Sequence, residues 1–299
     1  MATTALTLPE TEYMLPGNRA CAGCGLGIAF RHITKALDGK CIFVVPASCL
    51  TVLGGMYPTS SVTVPIMNCA FPSTAASASG VAAGLKVLGR EDTTVVAMAG
   101  DGGTADIGIQ ALSGAAERNA NILYICYDNE GYMNTGTQRS GSTPLGAKTT
   151  TSPALGKCEF PKDVPAILEA HHIPYVATAS PSYPGDLYDK VKKAKDLRGT
   201  RYMHLNAPCP SGWQFAPKDT VELGRLAVET GVFLLYEIED GVFRLTSRSR
   251  ALAKQGALKP VREFLELQGR FSSAADAAID AVQEWVNQRW KRAIERHAE

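Results

Sequence analysis

The run Thr94-Val95-Val96-Ala97-Met98 is apolar enough to be a buried strand, and it leads into Ala99-Gly100-Asp101-Gly102-Gly103-Thr104. Thr104 to Arg118 reads as a helix, and Asn121 to Tyr127 reads as a second buried strand ending at Asp128-Asn129-Glu130-Gly131. Strand, glycine turn, helix and strand make a parallel βαβ unit, which in turn demands an α/β sheet covered on both faces. Asp101 and Asn129 then lie at the carboxyl ends of neighbouring strands, where open α/β sheets bind ligands. Glycines let backbone N–H groups approach a phosphate, and the following helix terminus favours negative charge. A carboxylate and an amide oxygen are hard donors suited to Mg²⁺, so the segment reads as a site for a Mg²⁺-bridged diphosphate. A surface turn with an unrelated Asn in a second loop is the alternative.

The rest of the chain fits around that unit. Residues 1–20 form an irregular arm broken by Pro9, Pro16 and Gly17. Gly27 to Leu37 reads as an amphipathic helix, Cys41 to Val45 as a short buried strand, and Ser73 to Leu88 as a small-residue helix. Gly131 to Lys157 is a long polar loop, a length that marks a functional or disordered segment. Further on, a helix starts at Asp163 and runs toward His171, Tyr175 to Thr178 and Tyr202 to Leu205 are strands, and 185–197 and 218–230 are helices. Phe233 to Ile238 with Val242 to Leu245 reads as a hairpin around Asp240-Gly241, and the last 30 residues as one helix with Ile279, Val282, Val286 and Trp290 on a stripe. The expected fold is α/β, a mostly parallel sheet with helices on both faces and a C-terminal helical extension. The expected division is an arm (1–20), a cofactor-binding domain (21–235) and a hairpin with helical extension (236–299).

Charge narrows the partners. Thirty Lys and Arg against 29 Asp and Glu leave a net charge of +1, which offers nothing to nucleic acid or an anionic membrane. No apolar run is long enough to cross a bilayer, and the start lacks the basic and apolar segments of a secretory signal, so a cytoplasmic location is expected. In such a setting the eight cysteines point to metal or redox chemistry more than to disulfides. Cys21 and Cys24 form a C-x-x-C, while Cys49 and Cys209 each follow a predicted strand on the edge that carries Asp101 and Asn129. Spacing alone leaves a 4Fe–4S cluster, a Cys₄ zinc site and inert buried thiols all open.

Several motifs occur together and in order: Cys21-Ala-Gly-Cys24-Gly, Ser48-Cys49, Gly100-Asp101-Gly102, Asp128-Asn-Glu-Gly-Tyr-Met-Asn-Thr-Gly136 and Cys209-Pro210. Gly-Asp-Gly followed by an Asn 28 residues after the Asp resembles the diphosphate motif of thiamine-diphosphate enzymes. The whole set resembles the beta subunit of a 2-oxoacid:ferredoxin oxidoreductase of the pyruvate synthase type. That resemblance implies thiamine diphosphate, Mg²⁺ held by Asp101, Asn129 and the Gly131 carbonyl, and one 4Fe–4S cluster on Cys21, Cys24, Cys49 and Cys209. It implies cofactor contacts from Cys49, Gly100, Asp101, Gly102, Gly103, Asn129, Gly131, Tyr132, Asn134 and Thr135, with Asn134 as the catalytic residue facing the reactive end or the substrate. Cys41, Cys69, Cys126 and Cys158 match no ligand position.

The activity it implies is oxidative decarboxylation of a 2-oxoacid to acyl-CoA and CO₂, with electrons passed to ferredoxin or a similar acceptor. Pyruvate is the default substrate; phenylglyoxylate, other aryl or branched 2-oxoacids and oxalate are alternatives. A non-catalytic zinc-stapled scaffold and a non-redox thiamine decarboxylase or synthase are the other classes of reading. The chain shows no good candidate for the carboxylate that such enzymes place on the aminopyrimidine. The family carries that Glu on an alpha subunit, so an obligate complex is expected, with gamma and ferredoxin-like delta subunits beside it. The histidines are expected to be uninvolved, with His204 isolated, and Arg139 to meet either a substrate carboxylate or solvent.

Overall fold

The computed structural model describes residues 3–297; the outermost two residues of the N-terminal arm and of the C-terminal segment lie outside it. Helix α1 (Gly25–Ala36) carries Leu26, Ala29, Phe30 and Ile33 on one buried face and delivers the chain to strand β1 (Cys41–Pro46). A short helix α2 (Cys49–Gly54) follows immediately, then strand β2 (Ile66–Cys69). Neither α2 nor β2 was expected. Strand β2 is only four residues long and ends in Asn68-Cys69, so it has no alternating apolar signature. Helix α3 (Thr74–Val87) and strand β3 (Thr94–Gly100) lead into the glycine turn.

The helix expected from Thr104 begins later. Gly102–Asp106 forms a π-helical turn, with Ile107 N donating to Gly102 O at 3.3 Å, and helix α4 (Ile109–Glu117) starts after it. Glycines hold a regular helix poorly, and a widened turn is the result. Strand β4 (Leu123–Asp128) completes the βαβ unit. After the long loop come α5 (Val164–Glu169), β5 (Tyr175–Ala179), α6 (Pro184–Asp196) and β6 (Arg201–Asn206). The Asp163 side chain caps α5 by accepting from Ala166 N at 3.2 Å. A four-residue helix α7 (Pro210–Trp213) precedes α8 (Thr220–Glu229) and the hairpin strands β7 (Tyr236–Glu239) and β8 (Val242–Leu245). Helices α9 (Ser247–Gln255) and α10 (Arg262–Leu265) were not foreseen. The C-terminal helix α11 is Asp276–Arg296, with a separate 3₁₀ turn at Gly269–Phe271 ahead of it.

The eight strands form one sheet in the order β2-β1-β3-β4-β6-β5-β7-β8. The first six are parallel; β7 pairs antiparallel with β5, and β8 with β7. Alternate residues feed two cores. Phe43, Val96, Met98, Leu123, Ile125 and Met203 pack against α1 and α6, while Val44, Val95, Ala97, Tyr124, Cys126 and Tyr202 pack against α3, α4 and α5. The expected α/β architecture with helices on both faces is the one observed. A third core, built by α7, α8, α10 and α11 around Trp213, Phe264, Val282 and Val286, lies against the carboxyl-end loops. Among the described residues no helix is long and apolar enough to cross a membrane.

Candidate active site

Four neighbouring strands deliver the site. In the order β1-β3-β4-β6, their carboxyl ends are followed by Cys49, Asp101, Asn129 and Cys209. Asp101 is fully buried beneath the glycine turn, and Ser140 Oγ donates to its Oδ2 at 2.5 Å. The long loop is therefore ordered across the site: Ser140 N donates to Thr143 Oγ1 (2.9 Å), and Thr143 Oγ1 donates to Glu130 O (2.8 Å). Burial, and the nearby Asp128 carboxylate, push the Asp101 carboxyl well above the usual carboxylate range, against the Ser140 hydrogen bond. The Asn129 amide faces Asp101 Oδ1 at 2.9 Å and the Gly131 carbonyl at 3.0 Å. With its nitrogen turned inward it donates to both. With its oxygen inward, three oxygens converge, an arrangement that a hard cation relieves and that would favour the ionised Asp101.

Above this floor runs a groove lined by Gly100, Gly102, Gly103, Asn129, Gly131, Tyr132, Asn134, Thr135 and Cys49, with Phe71 and Ser48 at its sides. Every cofactor-contact position named from the sequence except Asp101 thus lines one groove. Gly102 is required by close approach: a Cβ there would meet the Tyr132 ring at 2.6 Å. The Tyr132 hydroxyl in turn donates to Asp106 Oδ2 at 3.0 Å, which anchors the ring over the turn. Among the described residues lining the groove there is no carboxylate side chain.

Next to the groove lies a cavity of about 280 Å³ that all four predicted ligand cysteines line. Cys21 and Cys24 lie in the turn before α1, Cys49 opens α2, and Cys209 precedes α7 with its Sγ accepting from Gly212 N at 3.4 Å. Gly25 N donates to Pro208 O at 3.1 Å, drawing the first pair onto the Cys209 segment. A Cβ at Gly25 would stand 2.7 Å from that carbonyl oxygen, so no larger residue permits this approach. Burial pushes the Cys24 and Cys209 thiols up; burial, reinforced by the other three thiols around it, pushes Cys49 up to about 12. Among the described residues no three or more Cys, His, Asp or Glu side chains form a group able to hold a single metal ion. Cys49, Asn129, Met133 and Asn134 line both the thiol cavity and the groove.

Of the other cysteines, Cys41 and Cys126 are buried strand residues, Cys69 is half-buried and Cys158 is exposed. Arg139 pairs with Glu159 at 2.8 Å on the surface. His204 is not isolated: it bridges the Tyr202 hydroxyl (2.7 Å) and Asp128 Oδ2 (2.8 Å). The strand period could have placed His204 and Asp128 on one face, since β4 and β6 are neighbours with Cys126 opposite His204. That adjacency is not written in the chain order. Also missed were the buried ion pair Glu130–Arg270 and the buried Lys157, whose ammonium donates to Gly141 O (3.0 Å), Thr143 O (2.7 Å) and Ser140 O (3.4 Å). Their partners are set by loop folding, which carries no periodic signal.

Comparison with known proteins places this geometry. Residues 49–205 match the thiamine pyrophosphate enzyme C-terminal TPP-binding domain, a span that begins at Cys49 and ends on β6. The chain is 52% identical to pyruvate synthase subunit PorB of Methanothermobacter thermautotrophicus, covering 94% of this chain and 97% of that one. It is 46% identical to ketoisovalerate oxidoreductase subunit VorB of Pyrococcus abyssi, covering 96% and 94%. The fold resembles a 2-oxoglutarate:ferredoxin oxidoreductase from Magnetococcus marinus, with a TM-score of 0.58 at 22% identity over 73% of this chain and 81% of that one. A thiamine-type domain in a chain alike from end to end to two such subunits leaves one conclusion: the chain belongs to the family of thiamine-diphosphate-binding subunits of 2-oxoacid oxidoreductases.

Proposed function

We propose that this chain holds thiamine diphosphate, Mg²⁺ and one 4Fe–4S cluster, and serves a CoA-acylating 2-oxoacid:acceptor oxidoreductase, with pyruvate as the default substrate. The carrying observation is the shared wall: Cys49, Asn129, Met133 and Asn134 face both the groove and the thiol cavity. When bound, the thiamine group supplies an electron sink for decarboxylation, and the cluster accepts electrons one at a time.

The residues present fit these groups. Asp101, the Asn129 amide oxygen and the Gly131 carbonyl are the hard donors that would hold Mg²⁺, and their convergence is the fit. Ser140 fixes the Asp101 carboxylate, and the glycine turn gives a diphosphate access to backbone N–H groups. A tetrahedral zinc site needs four sulfurs each about 2.3 Å from one ion. The four thiols line one cavity beside the groove, and metal analysis separates a cluster there from the zinc-scaffold reading. Asn134, which lines both spaces, would meet the reactive end or the substrate. A groove without a carboxylate supports an alpha subunit that supplies the aminopyrimidine Glu. Gamma and ferredoxin-like delta subunits, ferredoxin and coenzyme A complete the proposed set.

The test is purification of the assembled complex with assay against pyruvate, 2-ketoisovalerate, phenylglyoxylate and oxalate, using a low-potential acceptor. Iron and sulfide in this subunit, with acceptor reduction on a 2-oxoacid, are expected; stoichiometric zinc and no turnover would refute the reading. Cys209→Ala is expected to abolish the visible cluster absorbance while thiamine diphosphate still binds.

A further inference from the structure

Arg270 comes from the 3₁₀ turn between α10 and α11, far in sequence from every motif, yet it contacts Glu130 and Trp213, which adjoin the two donor sets. It is 2% exposed. Its guanidinium pairs with Glu130, the residue between Asn129 and Gly131. The same group donates to Gln268 Oε1 through Nε (2.9 Å) and Nη2 (2.7 Å), and lies over the Trp213 indole with Cζ 4.3 Å from the ring centroid. Trp213 is fully buried, and its Nε1 donates to the Asn129 carbonyl at 2.7 Å. Trp213 also closes the turn that starts at Cys209, donating its own N–H to Cys209 O at 2.8 Å. Backbone bonds hold the arginine segment on both sides: Lys148 N donates to Arg270 O (2.9 Å) and Gly269 N to Gln214 O (3.1 Å).

One buried cation is therefore fastened to the Asn129–Gly131 loop through Glu130 and to the Cys209 turn through Trp213. The fork geometry matters here, because a lysine could keep the charge but neither stack on the indole nor serve Glu130 and Gln268 together. A fixed positive charge close to a cluster favours its reduced, more negative form, and net charge is one of the levers on iron–sulfur potentials.

We propose that Arg270 is a positioning residue common to the two cofactor sites: it locks the Asn129–Gly131 donor loop to the Cys209 turn, and its buried charge raises the reduction potential of the cluster. The proposal rests on the reading above that a cluster occupies the thiol cavity. Glu130 is its counterweight, so the two residues are expected to act on the potential in opposite directions.

The test uses the assembled complex with Arg270→Lys, Arg270→Met and Glu130→Gln, and reads two quantities apart from turnover. One is the cluster midpoint potential from a spectroscopic redox titration. The other is the thiamine diphosphate dissociation constant at fixed Mg²⁺, from tryptophan fluorescence. Arg270→Met is expected to lower the potential, and Glu130→Gln to raise it. Arg270→Lys should leave the potential near wild type while weakening thiamine diphosphate binding about tenfold, the loss expected from one charge-assisted contact. Potentials unchanged in all variants, or shifted in the same direction in the methionine and glutamine variants, would overturn the proposal. A wild-type complex without iron would defeat the cluster reading itself, and this inference with it. Normal iron in the wild type with static potentials would defeat the inference alone.

Discussion

Lys157 shows what a single side chain contributes to this loop. Its ammonium is buried among three backbone carbonyls, with no carboxylate bonded to it among the described residues, and burial lowers its pKa from 10.5 to about 8. Below pH 8 both folded and unfolded chains hold the proton, and the burial cost is fully present. Between pH 8 and 10.5 the unfolded chain binds more proton than the folded one, so stability rises with pH in that window. Urea unfolding of wild type against Lys157→Met is expected to show a constant difference below pH 8 and a growing advantage for wild type above it. Ser140→Ala removes the hydroxyl that holds Asp101. Magnesium-dependent binding of thiamine diphosphate, read by fluorescence titration, is expected to weaken about tenfold. Asp101 and Asn129 were readable from the sequence because strand ends announce themselves. Lys157, His204 and Arg270 were not, since each finds its partners through loop closure or strand order.

At the scale of elements, the first cysteine pair reaches the site because α1 begins flush against the Cys209 segment. Gly25→Ala would put a methyl group 2.7 Å from Pro208 O and force the two apart. The expected result is loss of iron from the purified subunit with thiamine diphosphate binding retained, measured by iron analysis beside fluorescence titration. The strands other than β2 and the large helices were legible from apolar runs and caps, and the hairpin from Asp240-Gly241. The late start of α4 was not, because the glycines that serve the groove also spoil the helix register that the periodicity suggested. Function had overridden local propensity at that turn.

For the whole molecule, sheet order is what turns scattered residues into one edge, and order is the part that a linear reading lacks. Placing β6 between β4 and β5 brings Cys209 beside Asn129. The C-terminal segments add a separate core that braces the site from outside the sheet. Phe264, 1% exposed and edge-on to Trp213 at 6.1 Å, is central to it. Phe264→Ala is expected to cost about 3–5 kcal/mol in denaturant unfolding, as large-to-small changes in well-packed cores do.

Asp101 lies buried below the glycine turn with Ser140 drawn across one of its oxygens, while Gly100, Gly102 and Gly103 around it line the groove above. A vessel of that shape fills from the bottom. On the proposed reading, a Mg²⁺ held by Asp101 would have to enter before or together with the diphosphate, and once covered it would be shielded from a chelator in the medium. Stripping with EDTA should then proceed no faster than thiamine diphosphate departs, with metal and vitamin leaving on a single shared rate constant.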